Sequence, residues 1–445
     1  MVHFFPEFNS WLDRVPDARR QDRVEYSPRF LLWYGLLLFA GRLGSRRQLD
    51  FRYREQGAEV LGNLNRLAGT DQEGLPHNDT LDDYLAEVGA APVAGLRASM
   101  VRQLARMRVL DAGRVQGRLV VSLDGTGYLS FRQRHCEHCL TRKCGEQVLY
   151  SHQALEAKIL GPAETALSLG TEFIDNRELA GCPVGAGEQR RKQDCELKAG
   201  RRLLAGIRKD FPNLRLCLTT DALYACGAGF QMAKDHGCSL VAVFKEGSLP
   251  SLWQEFGTLL GLCPENRLQK RGEDGWRHEY RWVDDLPYTD SDKRPWRLKA
   301  IRYEGEGPDG KRSEWAWLCS ADLRVDARTV EALAWGVGRA RWRTENQGFN
   351  EQKNGGMALE HAYSEKDHFG AYYLLMQVAH LLMQLLEKGS LLRALARQAG
   401  KRSATGLLGG LRNMAACLVE SLRNLAWPKE CFGGQGRIQI RLDSG

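Results

Sequence analysis

The sequence predicts an α/β fold built on a mixed sheet, with helical regions before and after it and a β-rich segment inserted near its end. Three observations carry that prediction. Apolar residues recur at helical spacing through residues 1–115 and again after Gly355. Between Arg118 and Phe244, compact β-branched runs and amphipathic stretches follow in the order three strands, helix, strand, helix, strand. Carboxylates stand at two of those strand ends, Asp124 and Asp221, and a third, Glu345, lies on a later helix.

Composition sets the outer bounds. With 445 residues the chain exceeds one compact core, and roughly two or three domains are expected. Apolar residues at 43% suffice for real cores, and 27% charged residues is ordinary for a soluble protein. The 63 Lys+Arg outweigh the 55 Asp+Glu by a formal +8, which favours a polyanionic partner through phosphate contacts. The longest apolar run, residues 30–40, has eleven residues, against the roughly 20 a membrane span needs. It lies inside the chain without a small-residue cleavage site, so a buried helix is expected and no membrane partner. Most of the twelve cysteines stand singly in apolar segments, as Cys217, Cys238, Cys319 and Cys417 do, where a reduced thiol is a small core residue. A reduced, cytoplasmic setting is the expectation.

Residues 1–115 read as a helical N-terminal domain. Ser27 can cap a helix entered through Pro28 and running over 29–49. Asp79 or Thr80 is expected to cap a second helix, containing Leu81, Tyr84, Leu85 and Val88. A third spans 92–110, with Leu96, Met100, Leu104 and Met107 on one face and arginines mostly elsewhere. Such a basic face can dock on DNA; a solvated helix surface is the plain alternative.

Residues 116–246 open the α/β core. RLVVSLD is a strand ending at Asp124, and Gly125 permits a turn after it. Strands near 149–159 and 165–173 follow, then an amphipathic helix over 192–211 with Leu197, Leu203, Leu204, Ile207 and Phe211 at helical spacing, closed by Pro212. The strand 214–220, the helix 222–236 and the strand 239–244 form a βαβ unit with a parallel pair. Residues 247–326 read as an inserted β-rich domain in which RHEYRWV, WRLKAIRY and SEWAWLC are strands between turn-forming GEDG, DSDKRP and EGPDG. Its six tryptophans, from Trp253 to Trp317, are expected mainly in its core. Closing helices occupy 327–388. The first covers 328–349, with Val330, Leu333, Val337 and Phe349 facing inward, and the apolar YYLLMQVAHLLMQLLE is expected against the sheet. Residues 389–445 form a basic, glycine-rich segment.

This strand order matches the ribonuclease H-like fold, whose first and fourth strands are neighbours, so Asp124 and Asp221 should stand side by side at one sheet edge. Phosphodiester cleavage needs an activated water or hydroxyl and a stabilised leaving oxygen. Two divalent ions about 3.5–4 Å apart supply both, and carboxylate oxygens suit magnesium. Asp124 is the candidate to bridge two Mg2+ (or Mn2+) ions, with Asp221 and Glu345 flanking. One Asp at a strand end is more commonly a turn or cap residue; the conjunction of three at converging positions argues for metal.

RHCEHCLTRKCGEQVLYSH forms a short connection at 135–152. Its C-x2-C puts Cys136 and Cys139 on one turn, suited to tetrahedral zinc, and Cys144 and His152 offer a third and fourth ligand for a structural Zn2+. The alternative is a reduced, exposed loop with a strand beginning at Val148 and His152 facing along it.

The segments SLDGTGYLS, KQDCELKAGRRLL, TTDALYA and RARWRTENQGFNEQKN resemble the DDE transposases of bacterial insertion sequences, particularly the ISNCY-type group. The resemblance runs over most of the chain, from LPHNDTLDDYL to LEHAYSE. It implies a ribonuclease H-like catalytic core using magnesium, binding of the element's inverted terminal repeats by the N-terminal domain, strand transfer into target DNA, a homodimer in the DNA complex and a place at the bacterial nucleoid. A C-x2-C knuckle is also part of it. The hairpin-forming branch of this superfamily, which shares a β-rich insert before the Glu helix, carries a signature Y-x2-R-x3-E-x6-K. Arg341 and Glu345 match it, the Tyr position falls on Gly338, and the Lys position falls on Gln352 with Lys353 next. Arg341 and Lys353 are thereby candidate DNA-phosphate contacts; the plain alternative for Arg341 and Glu345 is an i, i+4 helical ion pair. Two other functions fit the same residues: a nuclease on this fold that cuts without joining, and a zinc-containing DNA-binding regulator that has lost catalysis.

Overall fold

The computed structural model describes residues 3–20, 22, 24–176, 193–364, 369–428 and 442. Lys192, at the expected start of a helix, Glu365 of LEHAYSE and most of the C-terminal segment after 428 lie outside them.

The chain is mixed α/β, organised on one eleven-stranded sheet that includes the two-residue strand Arg114–Val115. Its core strands are β1 (Arg118–Phe131), β2 (Leu140–Cys144), β3 (Gln147–Leu160), β4 (Ala166–Ile174), β5 (Leu216–Thr220) and β6 (Ser239–Val243). β1 runs antiparallel to β3 and parallel to β5, and β5 runs parallel to β6. β4 and β2 share the far edge of β3, one beside each half. The order β4-β3-β1-β5-β6 makes β1 and β5 neighbours, the adjacency that the strand pattern predicts. β1 extends past Asp124 to Phe131 because Gly125 and Thr126 stay paired with Leu155 and Ala154, so Gly125 makes no turn.

Leu119 to Leu123 are all buried because helices cover both faces of this part of the sheet. Leu119, Val121 and Leu123 face the core shared with α4 (Glu196–Asp210) and α5 (Gly227–Asp235), while Val120 faces a second core under the closing helix, residues 330–353. In that second core Val330, Leu333 and Val337 pack inward as their spacing predicts.

The inserted segment contains a helix that the strand signals do not predict, α6 (Pro250–Leu262), which starts on proline and buries Leu252, Phe256 and Leu260, four residues apart; the closing helix over 330–353 is α7. Four strands follow: β7 (Arg267–Arg271), β8 (Arg277–Thr289), β9 (Pro295–Glu306) and β10 (Arg312–Ser320). β10 pairs antiparallel with β6, Trp317 opposite Val243, so the insert prolongs the central sheet. Trp282 and Trp317 are buried in it as expected, and Trp315 lies under the Arg339 guanidinium.

Before the sheet, α1 (Pro28–Ala40) begins as predicted, with the Ser27 side chain accepting from the Phe30 amide, but it ends nine residues earlier than expected (49 − 40). α2 (Asn78–Val88) is capped by His77 in place of Asp79 or Thr80, because Asp50, from another element, accepts the Asn78 amide. α3 (Ala90–Arg106) and α1 pack on the apolar helix α8 (Phe369–Lys388), which also contacts β4. By length and composition residues 369–398 could cross a membrane, but 83% of the apolar window is buried inside the protein, as in a core helix.

Candidate functional site

Parallel pairing of β1 with β5 sets Ser122 beside Thr219. Asp124 and Asp221 each stand two residues further along, on the same face of strands roughly 4.8 Å apart. Ser122 and Thr219 are fully buried just beneath them, and their hydroxyls have no hydrogen-bond partner.

The closing helix crosses this face. It is irregular, with π-helical stretches at Ala334–Gly338 and Thr344–Asn350 and a 3-10 turn at Arg339–Arg341 between them. Glu345 lies exposed in the second π-helical stretch, a feature that recurs at functional sites. Gly338 explains the missing signature tyrosine: a Cβ there would lie 2.4 Å from the Trp317 indole nitrogen, so no larger side chain fits. Gln352, at the signature lysine position, is buried and donates to Gln377 at 2.8 Å; Lys353 turns outward to Glu360 at 2.8 Å.

Arg341 does not pair with Glu345. Its Nη1 lies 3.0 Å from Asp124 Oδ2, and the Asp124 side chain is only 18% exposed. Burial above all lifts the Asp124 carboxyl from 3.8 to about 7; Arg341 opposes the rise, and the negative charges of Glu345, Glu196 and Asp221 add to it. That electrostatic set gathers the three acids singled out in sequence, together with a fourth. Asp221 spends one oxygen on its own turn, accepting from the Leu223 amide at 3.0 Å.

The fourth acid, Glu196, is the residue that sequence reasoning missed. It sits in the first turn of α4, on the opposite side of the sheet from the closing helix, and leans over Gly125. A Cβ on residue 125 would lie 2.4 Å from Glu196 Oε1. Burial and then Asp221 raise the Glu196 carboxyl, and the Tyr224 hydroxyl donates to the Glu196 backbone carbonyl at 3.3 Å. The available signal was a glycine directly after the strand-end aspartate and an acid opening the helix after the third strand.

What holds the Glu345 helix in place is a buried polar network. Lys158 and Glu156, both fully buried on β3, lie 3.7 Å apart. Lys158 Nζ also donates to Gln377 at 3.1 Å and lies 5.5 Å from the Phe349 ring centroid, while its stem packs against Gly348, where a Cβ would come within 3.1 Å. Gln384 of α8 donates to the Gln347 carbonyl at 2.6 Å, and His380 meets Glu351 at 3.2 Å.

At 135–152 the structure brings together three of the four expected zinc ligands. Cys136 Sγ and Cys139 Sγ are 3.7 Å apart, and each is 3.4 Å from His152 Nε2. Bonds of about 2.3 Å to sulfur and 2.0 Å to nitrogen at tetrahedral angles require separations of about 3.8 and 3.5 Å, so this donor set fits zinc. Cys144 does not join them: it is exposed at the far end of β2, paired with Gln147, and the extended strand carries it roughly 13 Å beyond residue 140.

No family model matches the chain, and no curated protein matches it. Among solved structures it is similar to the cryo-EM structure of the piggyBac transposase synaptic complex with hairpin DNA, with 10% sequence identity, a TM-score of 0.39, and coverage of 98% of this chain and 81% of that one.

Proposed function

We propose that this chain is a DDE transposase of the bacterial insertion-sequence type, with a ribonuclease H-like core that cuts DNA at element ends and joins them to target DNA. What supports the reading is that Asp124 and Asp221 follow neighbouring parallel strands, that the charges of Asp221 and Glu345 act on the Asp124 carboxyl, and that Arg341 lies on Asp124. The donor set is hard carboxylate oxygen throughout, which suits magnesium or manganese. Asp124, Asp221 and Glu345 would hold two such ions, which supply an activated attacking oxygen and a stabilised leaving oxygen.

The protein's own residues do the rest. Asp124 must shed its proton to act as a ligand. Arg341 neutralises that carboxylate in the free protein and would be available to hold a DNA phosphate where bound ions balance the acids, with Lys353 at the end of the same helix as a second contact. Lys158, Gln377 and Gln384 fix the helix so that Glu345 needs no reordering. Cys136, Cys139 and His152 would hold a structural zinc, which would pin the β1–β2 connection. Double-stranded DNA, as terminal repeat and as target, is the partner, and two copies would bring two ends together.

The test uses a pre-cleaved terminal DNA and a plasmid target with Mg2+. Joined product supports transfer; nicks alone mark a nuclease; and unchanged cleavage in Asp124→Asn and Glu345→Gln removes the assignment.

A further inference from the structure

We propose that Glu196 is a fourth metal-binding carboxylate of this site, delivered from α4 across the gap left by Gly125; this rests on the proposed function above. Its first-turn position alone means little, since an acid there is favoured by the helix dipole in any protein. Three further observations separate it from a helix-start acid. Its carboxylate lies against the β1 backbone just past Asp124, in the space a side chain at residue 125 would fill. Among the described residues it has neither an ion pair nor a side-chain hydrogen bond, although it is partly buried beside Asp221 and Asp124. Among the described residues the fully buried hydroxyls of Ser122 and Thr219 have no partner on the face carrying those two aspartates, and the buried Lys158 opposite Ser122 is turned toward Gln377 and Glu156.

The charge count makes the same case. Four carboxylates, with Arg341 as the cation ion-paired among them, are mutually repulsive until positive charge enters. Asp221 has already committed one oxygen to the Leu223 amide, and a further carboxylate beside it would take the place of a water on an ion bound there. Glu196 approaches from the side of the sheet opposite the closing helix, where Glu345 cannot reach. Glu345 is exposed and rides on an irregular helix, whereas Glu196 is anchored by Tyr224.

The experiment measures Mn2+ binding to the full chain without DNA, by calorimetry and by the Mn2+ paramagnetic resonance signal, alongside Mg2+-dependent cleavage. Glu196→Gln is expected to weaken Mn2+ binding at one of two sites by about ten- to a hundredfold. Glu196→Asp should restore part of it. Gly125→Ala removes no carboxylate, yet its methyl group must displace the end of the Glu196 side chain; it should reproduce the loss with an unchanged unfolding midpoint. Wild-type Mn2+ affinity in both Glu196→Gln and Gly125→Ala, with binding lost in Glu345→Gln, overturns the role of Glu196 and leaves the three-acid site standing. Wild-type Mn2+ binding and cleavage in Asp124→Asn and Glu345→Gln as well would overturn the site itself.

Discussion

Arg341 Nη1 stands 3.0 Å from Asp124 Oδ2, joining positions 217 residues apart and tying the closing helix to the central strand. The pair substitutes one cation for the ions that the acids are proposed to hold. Replacing Arg341 with Gln should therefore act twice. Without metal, the Asp124 carboxyl should move above its value of about 7, because the group opposing the rise is gone. With DNA, binding should weaken and the slope of log affinity against log salt should fall by about 1, the signature of one lost phosphate contact. Titration of wild type and Arg341→Gln at several salt concentrations checks this; an unchanged slope would confine Arg341 to its partner Asp124.

Asp124 also predicts a pH dependence of stability. A carboxyl raised from 3.8 to about 7 binds more protons in the folded than in the unfolded state between those values. Metal-free stability should accordingly be fullest below about pH 4 and decline as pH rises through about 7. Asp124→Asn removes that decline, so in chelator at pH 8 the variant should be more stable than wild type by about 1–3 kcal/mol, with the gap closing near pH 4. Adding Mg2+ at pH 8 should stabilise wild type and not the variant, because an ion that binds only the folded state shifts the equilibrium by mass action. Urea denaturation at the two pH values, with and without Mg2+, reads all three quantities.

The zinc geometry gives a prediction with an internal control. Purified wild type should carry about one zinc per chain, as should Cys144→Ser, since Cys144 stands apart from the other ligands. Cys139→Ser should lose it. Elemental analysis decides: equal, near-zero values in all three proteins would end the proposal of a zinc site.

Lys158 is fully buried against Glu156 and beneath Gly348 and Phe349. Lys158→Ala opens space under the Glu345 helix and removes the donor to Gln377, while Glu156 keeps the Ser168 and Thr171 hydroxyls and the nearby Arg97. A loss of about 2–5 kcal/mol is expected from the cavity left by the buried stem. Mn2+ affinity should fall as well, because Glu345 loses the support that holds its helix. Chemical denaturation and Mn2+ titration of the same variant measure the two effects; full affinity in a destabilised but folded protein would separate Lys158 from the site.

Much of this architecture is legible in the residues because it follows from local periodicity. RLVVSL is buried on both faces and reads as an inner strand; Ser27 and Pro28 open a helix; and the order of strands and helices matches the ribonuclease H-like fold, whose first and fourth strands are neighbours, which sets Asp124 beside Asp221. The helix at Pro250–Leu262 carries the same kind of periodicity in Leu252, Phe256 and Leu260, beside the stronger strand signals that follow it.

What the sequence alone determined, then, is most of the strands and helices and the register of Asp124 and Asp221 after neighbouring strands, since repeat period and chain connectivity are written along the chain. Tertiary structure alone decided the partners. Arg341 chose Asp124 over Glu345 because an interrupted helix no longer places residues four apart on one line. Glu196 reached the acids through a space that exists only because residue 125 lacks a Cβ. Cys144 left the thiol cluster because β2 pairs with β3 and carries it away. Each outcome depends on contacts between residues distant in sequence, and no pattern within a single segment records them.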